Sequence, residues 1–341
     1  MRRQRRPAPI DAGRLIEVVD NFEGRRVVVF GDLIVDEFIY GEIGRVSREA
    51  PVLILNYHAT EIVPGGGGNA AANVAALGGV PVVVGVAGRD EQGRRLLDAL
   101  KRRADLKGVV RPAGYVTPTK TRILAGGIHS AKQQVVRIDR VTSPALTPSD
   151  LKDLNLRLLN AVRGCDAMLV SDYGMGLVTP RAVAAARTKL RTKRPVLVDS
   201  RYALSTFRGM TTCTPNESEV EQLFGIKIGD NGRVLEKAGR RLLQHTRAQA
   251  VLITRGSRGM ALFERSRDTV HIPIHGSDQI SDVTGAGDTV IATMTLAMAA
   301  GARFEEAARL ANYAGGIVVM KRGTATVSAD ELRDAVLTDL G

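Results

Sequence analysis

The residues best suited to chemistry lie at 282–289, which read Asp-Val-Thr-Gly-Ala-Gly-Asp-Thr and lead directly into an apolar stretch at 290–300. That stretch predicts a helix, and the first turn of a helix presents unpaired backbone N–H groups and a partial positive charge. Gly285 and Gly287 carry no Cβ, so an anion can approach these N–H groups closely. The carboxylate of Asp288 would repel that anion, and we therefore expect it to face a substrate hydroxyl and take its proton. The segment is typical of a phosphoryl transferase.

Two further segments could contact a sugar. Asp36 follows an apolar run, and its carboxylate could accept hydrogen bonds from sugar hydroxyls or lie in a solvated turn. Four consecutive glycines at 65–68 precede Asn69, which could bind a polyol through its amide or simply cap the alanine-rich helix that follows. The glycine run lacks the Lys of a phosphate-binding P-loop. It also does not follow the first strand directly, as a dinucleotide fingerprint should.

Polar residues at the ends of later strands could line the same cleft, since open α/β sheets bind ligands at the carboxyl ends of their strands. Asp172, Asp199 and Arg201 follow two neighbouring apolar runs. Asn216 and Glu219 have the spacing of a helix capping box, and they could also face the phosphates and magnesium ion of a nucleotide. Both interpretations of this pair can hold together.

Short apolar runs alternate with helical stretches, which predicts a doubly wound, mostly parallel α/β sheet with helices on both faces. Apolar runs at 51–57 and 118–124 break the alternation. They predict a small second sheet, with strands from about 41–63 and 114–139, that could cover a cleft as a lid. The turn at 254–259 predicts a hairpin near the nucleotide. The expected central strands are 26–30, 80–84, 167–171, 196–199, 211–214 and 251–254, and the expected helices are 69–77, 93–103, 148–161, 180–190, 217–224, 233–245, 288–300, 304–320 and 329–337.

Size and composition limit the class of protein. The 341 residues, 44% of them hydrophobic, are sufficient for one large α/β domain, which we assign to 13–341. The formal net charge is +12, partly from a basic segment at the start, and we expect 1–12 to be a disordered tail. Only 4% of the residues are aromatic, and none is interleaved with the basic ones, which argues against nucleic-acid binding.

The chain has the features of a cytoplasmic protein. Cys165 and Cys213 lie in apolar runs, and we expect buried thiols of the kind found in a reducing compartment. No Cys/His cluster has zinc spacing, and no apolar segment follows the basic start as in a signal peptide. The longest apolar run is too short to span a membrane.

Together, the segments at 65–69, 215–219 and 282–288 resemble those of the ribokinase-like (PfkB) carbohydrate kinases, over about 27–337. The resemblance implies a doubly wound fold with a small β lid, and transfer of the γ-phosphate of ATP, with Mg²⁺, to a sugar. It makes Asp288 the catalytic base. It also implies an anion hole of Gly285, Ala286 and Gly287; an ATP and magnesium region with Asn216 and Glu219; sugar contacts at Asp36, Gly66 and Asn69; and a monovalent-cation (K⁺) site at Asp282 and Thr284. To the nucleotide region we add Thr254, Gly256 and Gly259 of the turn at 254–259, and to the sugar contacts Gly67 of the glycine run.

Segments at 47–52, 64–73, 117–122, 133–139, 171–173 and 323–327 resemble one subgroup of that family. Its members phosphorylate O1 of D-glycero-β-D-manno-heptose 7-phosphate on the route to ADP-heptose and the lipopolysaccharide core. One departure is at 199–201, where the subgroup has Asp-Pro-Lys and this chain has Asp-Ser-Arg. Arginine keeps the charge of lysine but not its geometry.

Basic residues on the expected lid strands could hold the distal phosphate of such a substrate or form a solvated face. The expected substrate contacts beyond the sugar-binding set are Lys120, Arg122, Asp172 and Arg201, with Arg48 and Arg137 nearby. Two alternatives stay open. One is a PfkB kinase for ribose, fructose or a keto-deoxy sugar acid. The other is a non-catalytic nucleotide or sugar sensor, which would not need Asp288 or the anion-hole glycines.

The resemblance and the predicted lid also suggest partners. An isolated lid sheet would expose an apolar face and open edges, so we expect a homodimer that pairs two lids. Some relatives carry a fused adenylyltransferase. Because this sequence stops just after the kinase region, we expect a separate adenylyltransferase to take the next step.

Overall fold

Valine-rich runs form the strands of the largest sheet, as their composition predicts. The computed structural model describes residues 10–126, 132–141, 146–276 and 282–340. A central sheet of six strands has the order β10-β9-β8-β1-β4-β5, and all its neighbouring pairs are parallel. In chain order the strands are β1 (Arg26–Gly31), β2 (Leu33–Val46), β3 (Leu53–Gly66), β4 (Val80–Val86), β5 (Asp105–Val110), β6 (Thr119–Gly126), β7 (Gln133–Arg140), β8 (Ala167–Asp172), β9 (Val196–Ser200), β10 (Thr212–Cys213), β11 (Ala250–Thr254), β12 (Met260–Glu264) and β13 (Val270–Ile272).

Helices cover both faces of the central sheet, because side chains alternate between the faces along each strand. Val27 and Val29 of β1 belong to one core, whereas Val28 and Phe30 belong to a second core on the other face. The predicted doubly wound fold is confirmed. The helices are α1 (Ala12–Asp20), α2 (Gly67–Ala76), α3 (Glu91–Leu100), α4 (Pro148–Ala161), α5 (Pro180–Lys189), α6 (Glu217–Phe224), α7 (Gly232–Thr246), α8 (Ala286–Ala299), α9 (Phe304–Val319) and α10 (Ala329–Leu340).

The helix α1 was not expected, and it shortens the predicted tail. The carboxylate of Asp11 caps it by accepting the N–H of Arg14 at 2.7 Å. Leu15 and Val18 are buried in the first core, and the helix packs against α10. The expected disorder of residues 1–9 concerns a segment outside the described residues.

A four-stranded sheet, which we call the cleft sheet, has the order β3-β2-β6-β7. It extends beyond the predicted lid strands, because β2 begins at Leu33, only two residues after β1 ends. Asp36 therefore lies within a strand and not in a turn. The pair β2–β6 is parallel, while β3–β2 and β6–β7 are antiparallel.

The expected central strand at 251–254 belongs to a different sheet. Strand β11 pairs antiparallel with β12, and β12 pairs with β13. Only a single parallel bridge, between Asn216 and Thr254, connects the end of β11 to the segment after β10. The short turn between β11 and β12 imposes this hairpin, and the expected hairpin at 254–259 is confirmed.

Helix α8 is apolar on nearly every side and is almost completely buried, as expected for a helix without a solvent face. Both cysteines are buried free thiols. Within the described ranges, no helix is both long enough and apolar enough to cross a membrane.

Candidate active site

The first turn of α8 faces the cleft between the central sheet and the cleft sheet. Gly285 precedes it with φ of 80°, a conformation that favours glycine. A Cβ on Gly285 would lie 2.5 Å from Nδ2 of Asn69, whereas a Cβ on Gly287 would meet only Oδ2 of Asp199, at 4.0 Å. Gly285 is therefore required for packing, and Gly287 adds no side chain that would cover the start of the helix. The N–H of Ala286, between them, donates to the carbonyl oxygen of Val283 at 3.3 Å.

Asp288 lies in this first turn and is 3% exposed. The hydroxyl of Tyr173 donates to its Oδ1 at 2.9 Å, and the amide of Asn69 donates to its Oδ2 at 3.0 Å. Burial raises the pKa of Asp288 to about 7, and the two hydrogen bonds oppose this shift. A carboxylate that titrates near neutral pH suits a general base.

The side chain of Asn69 makes several hydrogen bonds within the protein, one of them to Asp288. Its amide nitrogen also lies 3.3 Å from the carbonyl oxygen of Gly285, and its Oδ1 accepts from Nδ2 of Asn73 at 3.1 Å. The hydroxyl of Thr289 donates in turn to Oδ1 of Asn73. The sequence predicted Asn69 as a sugar contact, whereas in this structure its hydrogen-bonding groups are used within the protein.

A cleft of about 450 Å³ brings together residues that lie far apart in the sequence. It contains members of each predicted set, namely the base, the anion hole, the nucleotide region and the sugar contacts. The predicted site residues that line it are Asp36, Gly66, Lys120, Arg122, Asp172, Arg201, Asn216, Glu219, Thr254, Thr284, Gly285, Gly287 and Asp288.

The cleft sheet contributes positive charge to this cleft. The guanidinium of Arg122 pairs with Asp36 and is nearly buried, and Arg137 pairs with Asp139. The ammonium of Lys120 lies 4.7 Å from the centre of the Tyr173 ring. Burial lowers the pKa of Lys120, although nearby Asp36 opposes that shift.

Carboxylates line the opposite side. Burial and nearby Glu219 raise the pKa of Asp199 well above its usual range, and burial also raises the pKa of Glu219. Asn216 and Glu219 form the predicted capping box of α6, with bonds of 2.8 and 2.9 Å. The oxygens of Asp172 accept from the N–H of Gly174 and the hydroxyl of Ser200. Asp172 thus mainly supports the local backbone.

A second cavity of about 310 Å³ adjoins the first and shares Asn216, Thr254 and Gly287 with it. Its lining is mostly apolar and backbone, with Met260, Val290, Val319, Gly315 and Gly316 among its residues. The predicted nucleotide residues Gly256 and Gly259, together with Ala286, line it as well. An apolar cavity next to a helix N-terminus has the form expected for a nucleoside base beside its phosphates.

Besides Asn69, two further predicted residues line neither the cleft nor the second cavity. Gly67 is buried and donates its N–H to the carbonyl oxygen of Asp32. The carboxylate of Asp282 accepts the N–H groups of Thr284 at 2.9 Å and Gly323 at 3.2 Å. Neither Gly67 nor Asp282 lines either of the two cavities.

The sequence did not identify Tyr173 and Asp32 as site residues. Both lie at the carboxyl ends of central strands, which was the available signal. Asp32 is 1% exposed, and its Oδ2 accepts the N–H of Tyr173 at 2.6 Å and that of Met175 at 3.2 Å. Burial raises the pKa of Asp32 to about 6. A Tyr or Asp at a strand end is too common to assign a role without its contacts.

A family model described as pfkB family carbohydrate kinase matches residues 25–331. The bifunctional protein HldE of Geobacter sulfurreducens is 41% identical over 309 residues, which cover 89% of this chain and 61% of that protein. HldE of Hahella chejuensis is 39% identical over 323 residues, which cover 94% of this chain and 65% of that protein. The chain thus spans less than two thirds of the length of these relatives.

Solved structures share the fold. Phosphofructokinase-2 of Escherichia coli, solved with substrates and products, superposes with a TM-score of 0.73 at 20% identity, covering 92% of this chain and 99% of that one. Ribokinase of Arabidopsis thaliana, solved with ribose and ATP, gives 0.67 at 21% identity, covering 93% and 98%. At such identities the likeness concerns the fold alone.

Proposed function

The chain belongs to the pfkB family of carbohydrate kinases, and from that membership we propose that it phosphorylates O1 of D-glycero-β-D-manno-heptose 7-phosphate with ATP. As a carbohydrate kinase it is a phosphotransferase with an alcohol group as acceptor. The identity of the sugar is the proposal. It rests on the similarity to HldE and on the positive charge that the cleft sheet brings to the cleft.

The arrangement of cations is the observation that carries the choice of substrate. Lys120, Arg122, Arg137 and Arg201 all line the cleft that contains Asp288. Asp36 pairs with Arg122 and Asp139 pairs with Arg137, whereas Lys120 and Arg201 make no ion pair among the described residues. A distal phosphate would give Lys120 and Arg201 a charged partner, which a neutral sugar does not offer.

In the proposed reaction, the substrate hydroxyl at O1 loses its proton to Asp288 while its oxygen attacks the γ-phosphorus of ATP. The bond between that phosphorus and the bridging oxygen breaks, and ADP leaves. Backbone N–H groups at Gly285, Ala286 and Gly287 stabilise the negative charge on the moving phosphoryl group. Positioning and charge stabilisation supply most of the catalysis in this type of reaction.

The residues around the cleft suit a magnesium ion that is held mainly by phosphates and water. Among the described residues, no group of three or more His, Cys, Asp or Glu could form a metal cage. Asp199 and Glu219 face the cleft, and the buried hydroxyl of Thr214 has no hydrogen-bond partner within the described chain. Bound magnesium would neutralise phosphate charge, and Glu219 and Asn216 would hold its shell.

A potassium site at Asp282 and Thr284 remains a prediction. Phosphofructokinase-2 of Escherichia coli has been solved with potassium. In this chain the carboxylate of Asp282 already accepts two backbone N–H groups. Activity that is equal in sodium and potassium salts would remove the prediction.

We also propose the homodimer through the cleft sheet. Strand β7 is an exposed edge strand, and the register pairs Arg122 with Arg137 and Ile123 with Val136. Alternation then places Val136 and Ile138 on the face away from the cleft, where they are 48% and 54% exposed. An apolar face on an open edge favours pairing with a second copy.

Light scattering tests the dimer. Ile138→Glu should convert a dimer to a monomer at micromolar concentration. Leu156→Glu, on α4, changes an equally exposed residue and should leave the mass unchanged. A monomeric parent protein would contradict the proposal.

The curated relatives are named bifunctional, so they give no support to the expected separate adenylyltransferase.

A substrate panel tests the sugar. ADP release would be measured with heptose 7-phosphate, the same heptose without phosphate, ribose, fructose and fructose 6-phosphate, and ³¹P NMR would identify the phosphorylated position. We expect the highest kcat/KM for heptose 7-phosphate and a new anomeric phosphate. Higher kcat/KM for a neutral sugar would replace the heptose proposal with another carbohydrate kinase activity.

A further inference from the structure

We infer that Tyr173 is a positioning residue of this kinase, and that Tyr173 and Asn69 together hold the Asp288 carboxylate in the orientation and the ionised form that proton acceptance requires. The inference rests on the proposed role of Asp288 as base. It adds a residue that neither the family match nor the sequence motifs assign.

The geometry around Asp288 is that of a clamp with two neutral donors. Tyr173 approaches Oδ1 at 2.9 Å from the segment after β8, and Asn69 approaches Oδ2 at 3.0 Å from α2. The donors come from different elements, so together they fix the plane of the carboxyl group. Each oxygen keeps a second lone pair, which leaves the carboxylate able to accept a substrate proton.

Each donor is itself held in place. The backbone N–H of Tyr173 donates to Asp32 at 2.6 Å, and Asp32 is almost fully buried. The ring of Tyr173 lies beneath the ammonium of Lys120, 4.7 Å from its centre. Such a support leaves the hydroxyl little freedom to turn away from Asp288.

Asn69, the second donor, is held in place by buried polar side chains. Asn73 donates to the side-chain oxygen of Asn69 at 3.1 Å, and Thr289 donates to the side-chain oxygen of Asn73 at 3.1 Å. This chain of bonds fixes which end of the Asn69 amide points at Asp288, and it must be the NH₂ group. Asn73 and Thr289 are completely buried.

The two donors of the clamp also counteract the rise in the pKa of Asp288 that its burial causes. Asp36 on β2, Asp199 on β9 and Lys120 on β6 all lie near Asp288. Burial and the charge of Asp36 favour the protonated acid, whereas the two donors and the charge of Lys120 favour the carboxylate. With a pKa of about 7, the loss of one donor would leave Asp288 largely protonated at neutral pH and unable to take the proton of O1.

Tyr173→Phe tests the inference because it removes only the hydroxyl. The midpoint of the acidic limb of kcat/KM against pH should rise by about one unit or more. On the alkaline plateau, where Asp288 is ionised in both proteins, kcat/KM should recover most of the loss seen at neutral pH, and the part that does not recover reports the loss of orientation. A purely structural role would lower kcat/KM equally at all pH values, and an unchanged midpoint would overturn the inference.

A matched control and a second measurement separate this inference from the choice of substrate. Tyr313→Phe removes another tyrosine hydroxyl that donates to a carboxylate, that of Asp339, away from the cleft, and it should not move the midpoint. Carboxyl ¹³C NMR without any sugar, assigned with Asp288→Asn, should show the same rise for Asp288 in Tyr173→Phe. If heptose 7-phosphate is not the best substrate in the panel, only the heptose proposal is wrong. If the pKa of the Asp288 resonance does not change in Tyr173→Phe, the proposed role of Tyr173 is wrong.

If the phenylalanine variant does not fold, 3-fluorotyrosine at position 173 gives a test in the opposite direction. Its hydroxyl is a stronger donor of similar size, so the Asp288 midpoint should fall. A midpoint that stays at the parent value would contradict the clamp.

Discussion

The two sides of the cleft hold their charged groups by different means. On the central-sheet side, which we call the cleft floor, Asp288 is held by the neutral donors Tyr173 and Asn69. On the cleft sheet, charged groups hold one another, as in the pair of Arg122 and Asp36. Burial raises the pKa of Asp288 to about 7, so its carboxyl group can exchange a proton near neutral pH, whereas the pair of Arg122 and Asp36 brings two charged groups to the cleft. The floor is suited to the reaction and the sheet to the choice of substrate.

The largest expected effect is on the floor. Asp288→Asn removes the proton acceptor and should lower kcat by about 10²–10⁴-fold, with little change in KM for ATP. A coupled assay of ADP release measures this. Asp230→Asn is the control, because that carboxylate lies on the surface and is 94% exposed. Near-normal turnover in Asp288→Asn would remove Asp288 from the base role and weaken the contrast between the two sides.

Gly287→Ala tests the proposed anion hole on the cleft floor. The added methyl group would meet no protein atom closer than 4.0 Å, so the fold should persist while the methyl group intrudes on the anion hole. We expect kcat to fall by about a hundredfold, because a phosphoryl group displaced by the methyl group would lose its hydrogen bond to one such donor. Gly164→Ala, where a Cβ would also meet nothing within 4 Å, should have no effect on kcat. Equal rates for both variants would contradict an anion hole at this turn.

Lys120→Met tests whether the cleft sheet binds the phosphate of the sugar substrate. Loss of the ammonium should raise KM for a phosphorylated sugar by about ten- to a hundredfold and leave KM for ATP nearly unchanged. Lys152→Met on α4 changes an exposed lysine and serves as the control. A fall in kcat without a change in KM would instead indicate that Lys120 acts in the phosphoryl transfer and not in binding the sugar phosphate.

The smallest expected effect concerns stability. The folded pKa of Asp288, about 7, lies above its ordinary value of 3.8. The folded state therefore holds this proton more tightly, and the free energy of unfolding falls as pH rises from about 4 to 7 on account of this group. Above that range the buried charge is destabilising.

Asp288→Asn should raise the free energy of unfolding at ~pH 8 by about 1–3 kcal/mol, and the gain should vanish at ~pH 4. Urea unfolding at both pH values measures this, and a destabilised variant at ~pH 8 would show that the clamp outweighs the cost of burial.

Much of the fold follows from local patterns. Five of the six expected central strands lie in the central sheet, and the helices at 148–161 and 217–224 have the predicted bounds. Both of these helices begin at a capping box, so their starts are set by residues three positions apart. The exception, strand β11, was misassigned because an apolar run indicates a strand but not its partner. Pairing depends on the hairpin that follows, which is a tertiary constraint.

For the site, the sequence by itself determined the type of reaction. The glycines and the aspartate at 285–288 lie within a single helical turn, so their chemistry is local. Only the tertiary structure decided which groups control Asp288, since Asn69 and Tyr173 are 219 and 115 positions away from it. It also decided that Asn69 donates to Asp288, and that Lys120 of β6 and Arg137 of β7 line one cleft with Arg201. Burial and through-space charge set the pKa of a carboxylate, and neither is written in the residues next to it.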